Sequence, residues 1–168
     1  MKMNFNDKND LINHGFTSFI SYSDLNRNED KYIDKVKGVY LVINPDYKNP
    51  KFDNPGVCGK HGGKDPNRTI TKLKAKYVYD SQVMYIGKGG SLNDKAELNQ
   101  RIKAYLACSR NATCGHSGGR NIWQLQNYQK LIFCWKKVDL IDSADYETEL
   151  ITMFVNQFGK LPFANYRL

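Results

Sequence analysis

The chain reads as a mixed α+β protein, with a small central antiparallel sheet of three strands flanked by helices. Three observations predict this. Short runs rich in β-branched and aromatic residues, at 37–44, 83–87 and 131–138, have strand character. Two longer stretches, at about 92–107 and 142–158, repeat apolar residues at helical spacing. The tracts between them carry the proline and glycine punctuation of turns and loops. At 168 residues the chain is long enough for one domain with a substantial core.

Residues 1–37 form an N-terminal extension expected to pack on that core. Its six basic and six acidic residues cancel, and Leu11, Ile12, Phe16, Phe19 and Ile20 cluster around the breaker Gly15. Ser23-Asp24-Leu25 has the composition of a short helix start. Residues 38–168 form the core domain. Its opening run, Lys37 to Asn44, is the clearest strand in the sequence. The β-branched content predicts burial on both faces, as in a central strand, and Pro45 ends it.

A long basic insertion follows, at about 45–76, between the first two core strands. It contains Pro45, Pro50, Pro55 and Pro66 with four glycines, and shows little periodicity. From Lys48 to Lys76 there are eight Lys or Arg against two Asp, a net +6 out of +8 for the whole chain. Lys60, Lys64, Arg68, Lys72, Lys74 and Lys76 carry most of this charge. Two readings stand side by side: an arm along a phosphate backbone, or a solvated, mobile loop.

Tyr77-Val78-Tyr79 and Val83 to Gly87 supply further strand, with Asp80-Ser81 as the turn between them. Gly87-Lys88-Gly89-Gly90-Ser91 fits neither phosphate-loop pattern and reads as a glycine turn from strand to helix. In the helix after it, Leu98, Ile102, Tyr105 and Leu106 form one stripe, and Arg101 shares a face with Tyr105. A loop to Gly119, a second helical stretch through Tyr128 and the third strand come next. The last helix is capped by Asp142-Ser143 and stopped by Gly159 and Pro162. Along it, Glu147 lies in line with Ile151, Phe154 and Phe158, whereas Glu149 shares a polar face. A carboxylate at the core edge requires a partner, either a plain salt bridge or a metal ion.

Composition excludes some classes. No apolar run approaches the roughly 20 residues needed to cross a bilayer. The polar start MKMNFNDKND lacks a signal-peptide core, so the expectation is cytoplasmic, with reduced thiols. Cys58-x2-His61 and Cys108-x5-Cys114-x-His116 lack the paired knuckles of common zinc sites. The +8 charge suits a polyanionic partner.

Two glycine-tyrosine strand motifs, Gly38-Val39-Tyr40 and Tyr85-Ile86-Gly87, are followed in order by Arg101, by Glu147 with Leu150-Ile151, and by Pro162-Phe-Ala-Asn165. From Gly38 to Asn165 this order resembles the GIY-YIG nuclease superfamily, with Val39 in place of the first isoleucine. The resemblance implies metal-dependent hydrolysis of DNA phosphodiester bonds, and double-stranded DNA as the partner. It casts Tyr40 as general base or orienter of the attacking water, with Tyr85 as its neighbour. Arg101 would bind the scissile phosphate, and Glu147 would hold one divalent cation, Mg2+ or Mn2+, per site. Tyr105 stands where family members carry a histidine or tyrosine, and Asn165 supports the site. Arg suits phosphate through its planar fork, and one carboxylate with water and phosphate oxygens is a common Mg2+ environment. A tyrosine needs help to act as a base, which Lys88 or the metal would give. His116 and Arg120 are further candidates to approach DNA, beside the plainer reading of a loop and a helix-opening arginine. A stand-alone domain with a basic insertion looks most like a restriction-type or mobile-element enzyme. Two cuts on a duplex suit a homodimer, and a monomer acting twice equally. The alternative from the residues alone is a nucleic-acid-binding module that uses the insertion and does not cut.

Overall fold

The computed structural model describes residues 3–60, 63–110 and 119–167, apart from the side chain of Asp30. Their elements run α1 (Lys8–Asn13), β1 (Thr17–Ser21), α2 (Tyr22–Arg27), α3 (Glu29–Tyr32), β2 (Gly38–Ile43), α4 (Ile70–Lys76), β3 (Val83–Gly89), α5 (Leu98–Cys108), β4 (Ile132–Lys137) and α6 (Ser143–Phe158). Two 3-10 turns, Arg120–Gln124 and Tyr128–Lys130, precede β4.

β2 has the continuous apolar sequence of a strand covered on both faces, and all six of its residues are buried. It lies between β4 and β3 in a sheet of order β1-β4-β2-β3, antiparallel throughout. The expected three strands are therefore present, and a fourth, β1, joins them at the edge from the N-terminal extension. Its short run hid it in the sequence. Ser18 takes a positive φ of 75° and the pairing with β4 shifts between Thr17 and Ile20, so no clean alternation survives.

Alternate residues of β2 serve two cores. Tyr40 and Val42 face one that contains Leu98, Ile102, Tyr105 and Leu106 of α5. Val39, Leu41 and Ile43 face the other, with Leu150, Ile151 and Phe154 of α6. The extension closes this second core with Met3, Phe5, Leu11 and Phe16, and Phe5 packs edge-on against Phe154 at 5.3 Å. α6 begins at the N-cap Asp142, whose side chain accepts from Ala144 N, and ends at Gly159 with φ +70°.

Three local expectations are corrected. α5 starts at Leu98, not near 92, because Gln100 Oε1 accepts from Glu97 N and fixes the helix start there. Residues 77–79 are not strand: α4 runs directly into them, and Tyr77 and Val78 are buried without sheet pairing. The stretch from Arg120 to Tyr128 forms the two short 3-10 turns in place of a helix.

The basic insertion is folded. Phe52 bridges to Leu125, Val57 N donates to Trp123 O, and Leu73 of α4 is fully buried. Gln124, itself buried, ties both of its limbs. Its Oε1 accepts from Arg68 N at 2.8 Å, and its Nε2 donates to Asp53 O at 3.0 Å and Arg68 O at 2.9 Å. The described residues of the insertion are thus tied to the rest of the fold by backbone and side-chain hydrogen bonds. The lysines nevertheless project from this scaffold: Lys60, Lys64, Lys72 and Lys74 are exposed, as is Arg68, and Lys76 is half-buried.

Gln124→Ala strands three backbone groups at once and is expected to cost about 2–4 kcal/mol, scaled from about 1–3 kcal/mol per unsatisfied buried group. Urea unfolding measures the loss, and hydrogen exchange is expected to rise selectively at 53–68.

Candidate active site

Antiparallel register decides which side chains meet. Tyr40 stands opposite Gly87, and Val42 opposite Tyr85, so both tyrosines share the face covered by α5. A Cβ at Gly87 would lie 2.6 Å from Tyr40 Cζ, so the phenol end of Tyr40 occupies the space that a side chain there would fill. The Tyr40 and Tyr85 rings come within 5.8 Å. Tyr105 of α5 stacks on Tyr85 at 5.1 Å and 22°, and its hydroxyl donates to Gly119 O at 2.7 Å. Gly119, with φ +77°, is required there because any Cβ would collide with the Tyr105 ring.

Charges surround this aromatic floor. Lys88 pairs across the strand with Val39, hence on the α6 side, and its Nζ donates to Glu147 Oε2 at 2.6 Å. Glu147 is mostly covered and Glu149 is exposed, as their helix positions predicted. Arg101 lies one turn before Tyr105 and forms an ion pair with Asp94 in the turn before α5. The fields of Glu147 and Arg101 both reach the Tyr85 hydroxyl, with opposite effects, and that of Glu147 also reaches Tyr40.

Burial pushes the Tyr40 hydroxyl well above the ordinary tyrosine value, and Tyr85, Tyr105 and Glu147 add to the rise. Burial, then Glu147, pushes Tyr85 up to about 12 against the pull of a Tyr40 hydrogen bond and, after it, of Arg101 and Arg167. Tyr105 is raised well above its ordinary value, again chiefly by burial. No influence of Lys88 on either tyrosine is seen in the metal-free chain. Its ammonium is spent on Glu147, and the phenols are neutral at physiological pH. The Tyr40 hydroxyl is buried, and the nearby Tyr85 hydroxyl is its one polar neighbour among the described residues, close enough for a hydrogen bond to shift both phenols yet outside ideal geometry.

Asn165 closes the other side of β3. That strand is a sheet edge, and Asn165 completes it as a neighbouring strand would: Oδ1 accepts from Ile86 N at 3.0 Å and Nδ2 donates to Ile86 O at 2.8 Å. Ala164 N adds a bond to Met84 O at 2.8 Å. This sets the backbone between Tyr85 and Gly87, and it brings Arg167 close enough for its charge to reach Tyr85.

Among the sequence candidates, Tyr40, Tyr85, Arg101, Tyr105, Lys88, Glu147 and Asn165 come together. Lys60, Lys64, Lys72 and Lys74 lie on the insertion. Arg120 opens a 3-10 turn and is close enough to Cys58 to influence its thiol. His61, Cys114 and His116 lie outside the described residues. Sequence reasoning missed Asp94 and Arg167. Neither sits in a periodic pattern, and the only hint of Asp94 was a carboxylate in the turn ahead of Arg101.

One carboxylate is what the site offers a cation. No group of three or more His, Cys, Asp or Glu side chains arranged for a metal occurs among the described residues. That donor set fits Mg2+, which keeps several waters and takes further oxygens from phosphate. Burial pushes the Cys58 thiol up to about 11. Cys108 is disulfide-bonded, against the expectation of reduced thiols throughout. No helix among the described residues is long and apolar enough to cross a membrane. No family model, curated protein or solved structure matches the chain.

The raised phenols fix a pH dependence. Between pH 10, where an unfolded tyrosine titrates, and the higher folded values, the unfolded chain loses protons that the folded chain retains. Stability is thus fully present below about pH 10 and is expected to fall as pH rises from there through about 12. Urea midpoints measured across that range check it, with phenolate absorbance expected to rise on unfolding.

Proposed function

We propose that the chain is a metal-dependent endonuclease of GIY-YIG type that hydrolyses phosphodiester bonds of double-stranded DNA, with one Mg2+ or Mn2+ per site. The observation that carries this reading is that two strand tyrosines and a helix-borne arginine on the α5 side lie within reach of the charge of a lysine-held glutamate on the α6 side, across edge strand β3.

Arg101 presents a fork to the scissile phosphate and exchanges Asp94 for the phosphate oxygens. Both ends of that exchange are partly exposed, so the ion pair is not a deep trap. A cation held by Glu147 would offset charge on the phosphate oxygens. Tyr40, whose hydroxyl burial pushes above the ordinary tyrosine value in the metal-free chain, orients the attacking water, or serves as its base where a bound cation lowers that value. Lys88 sets the Glu147 carboxylate, Tyr85 and Tyr105 hold Tyr40 in place, and Asn165 holds the strand between them. A cytoplasmic location and paired cuts by a homodimer belong to the same reading.

A second reading is a DNA-binding module that does not cut. It is favoured by the ion pair that already satisfies Glu147 and by the complete burial of Tyr40.

Purified protein with plasmid DNA and Mg2+ is expected to give nicked or linear product, and chelation by EDTA to abolish it. Glu147→Ala and Arg101→Ala are each expected to slow cleavage on the order of 100-fold or more, the scale of losing one preorganised charge contact. Full activity in both variants sinks the assignment. Salt-dependent binding with no cleavage under any divalent metal selects the second reading.

A further inference from the structure

Two cations of the insertion converge on one ring outside the candidate active site. Arg68, just ahead of α4, places its guanidinium 5.0 Å from the centroid of Tyr166. Lys76, the last residue of α4, places its Nζ 3.7 Å from the same centroid. The ring is fixed in turn. Tyr166 Oη donates to Asn121 Oδ1 and accepts from Arg68 Nε at 3.3 Å. Asn121 is fully buried and donates through Nδ2 to Phe163 O at 3.3 Å.

Neither cation has an acidic partner among the described residues, whereas Lys88, Arg101 and Arg110 each do. Lys76 Nζ donates to the carbonyl of Asn165 and lies over the Tyr166 ring, and Arg68 reaches the same tyrosine through Nε and its guanidinium face. Lys76 is half-buried, and burial together with Arg68 pushes its ammonium down to about 8. A partly desolvated lysine beside a second, exposed cation is disfavoured in its charged form. An anion shared between them removes that cost.

The contacts also locate the pair. The Asn165 carbonyl that receives Lys76 belongs to the residue whose side chain brackets Ile86, between Tyr85 and Gly87. The next residue but one is Arg167, whose charge reaches Tyr85.

We propose that Arg68, Lys76 and the ring of Tyr166 form a phosphate subsite for the DNA backbone beside the candidate cleavage site. It rests on the DNA reading for its ligand and not on the cutting chemistry. An arginine fork matches two phosphate oxygens and a lysine adds a point charge. Lys76 covers part of the Tyr166 ring, so the ring positions cations and is not a platform for a base.

The test is binding of a short DNA duplex in EDTA, by fluorescence anisotropy across a series of salt concentrations, with plasmid cleavage in Mg2+ measured separately. Each lost phosphate contact removes about one from the slope of log affinity against log salt. Arg68→Gln and Lys76→Gln are each expected to lower the slope by about one, and Lys76→Arg to retain it. Arg68 is exposed, so its variant tests the site even where Lys76→Gln fails to fold. Cleavage together with an unchanged slope in Arg68→Gln overturns the subsite and leaves the nuclease reading standing. Lost slope with no cleavage under any divalent metal does the reverse. A wild-type chain that does not bind the duplex overturns the subsite. So does a duplex displaced by inorganic phosphate at matched ionic strength, which marks a free-anion site.

Discussion

The contact between the Tyr40 ring and the bare backbone of Gly87 sets the geometry around it. Antiparallel register places these residues opposite each other, and a side chain at 87 would compete with the ring for the same volume. With Tyr40 lying over Gly87, Tyr85 packs against it from the neighbouring non-glycine position, and Tyr105 stacks on Tyr85. That stack docks α5 on the sheet and so determines where Arg101 emerges. It depends on a second glycine, because Tyr105 fills the space beside Gly119. Two glycines far apart in sequence thus make room for one aromatic cluster. A methyl group at either would disturb packing at interior density, where overpacking costs about 1–3 kcal/mol.

An aromatic floor this well covered has an electrostatic consequence. Its hydroxyls lose the solvation that would stabilise phenolate, and the nearest carboxylate, Glu147, pushes in the same direction. Charge is therefore confined to the rim, in the pairs Lys88–Glu147 and Arg101–Asp94. Each pair fixes a side chain that would otherwise sample many rotamers. Each also keeps a cation or a carboxylate near the tyrosines without leaving it unpaired. A ligand entering such a rim exchanges partners with groups already in position and creates no new buried charge, which is the cheaper route in a partly desolvated site.

Much of this was legible in the sequence where periodicity governs. The β-branched run 38–43 announced a central strand, and the i+4, i+7, i+11 line from Glu147 separated it from Glu149. The order of the glycine-tyrosine strands, Arg101 and Glu147 was visible as well. The depth of Tyr40 was not. Strand alternation tells which face a residue takes, and how much covers that face is decided by α5 and the turn at Gly119, distant in sequence. β1 was missed because a positive φ at Ser18 and a shifted register erase its alternation. The insertion appeared loose because its order comes from Gln124, far downstream, and not from any pattern of its own. Asp94 and Arg167 matter only through proximity in space, and neither has a sequence pattern to announce it.

The placement of unpaired charge ties the insertion to the sheet. Two half-covered cations near the tyrosines, Lys88 and Arg101, are held by the carboxylates of Glu147 and Asp94. Half-covered Lys76 and exposed Arg68 instead meet around one tyrosine ring. They do so at the point where the C-terminal segment leaves the edge of β3. Asn165 joins the two regions, with its side chain on the backbone of Ile86 and its carbonyl on Lys76. Asn165 thus touches both the basic insertion, through its carbonyl, and the edge of β3 beside Tyr85, through its side chain, and the rings of Phe52 and Tyr77 against Phe163 tie the same two regions.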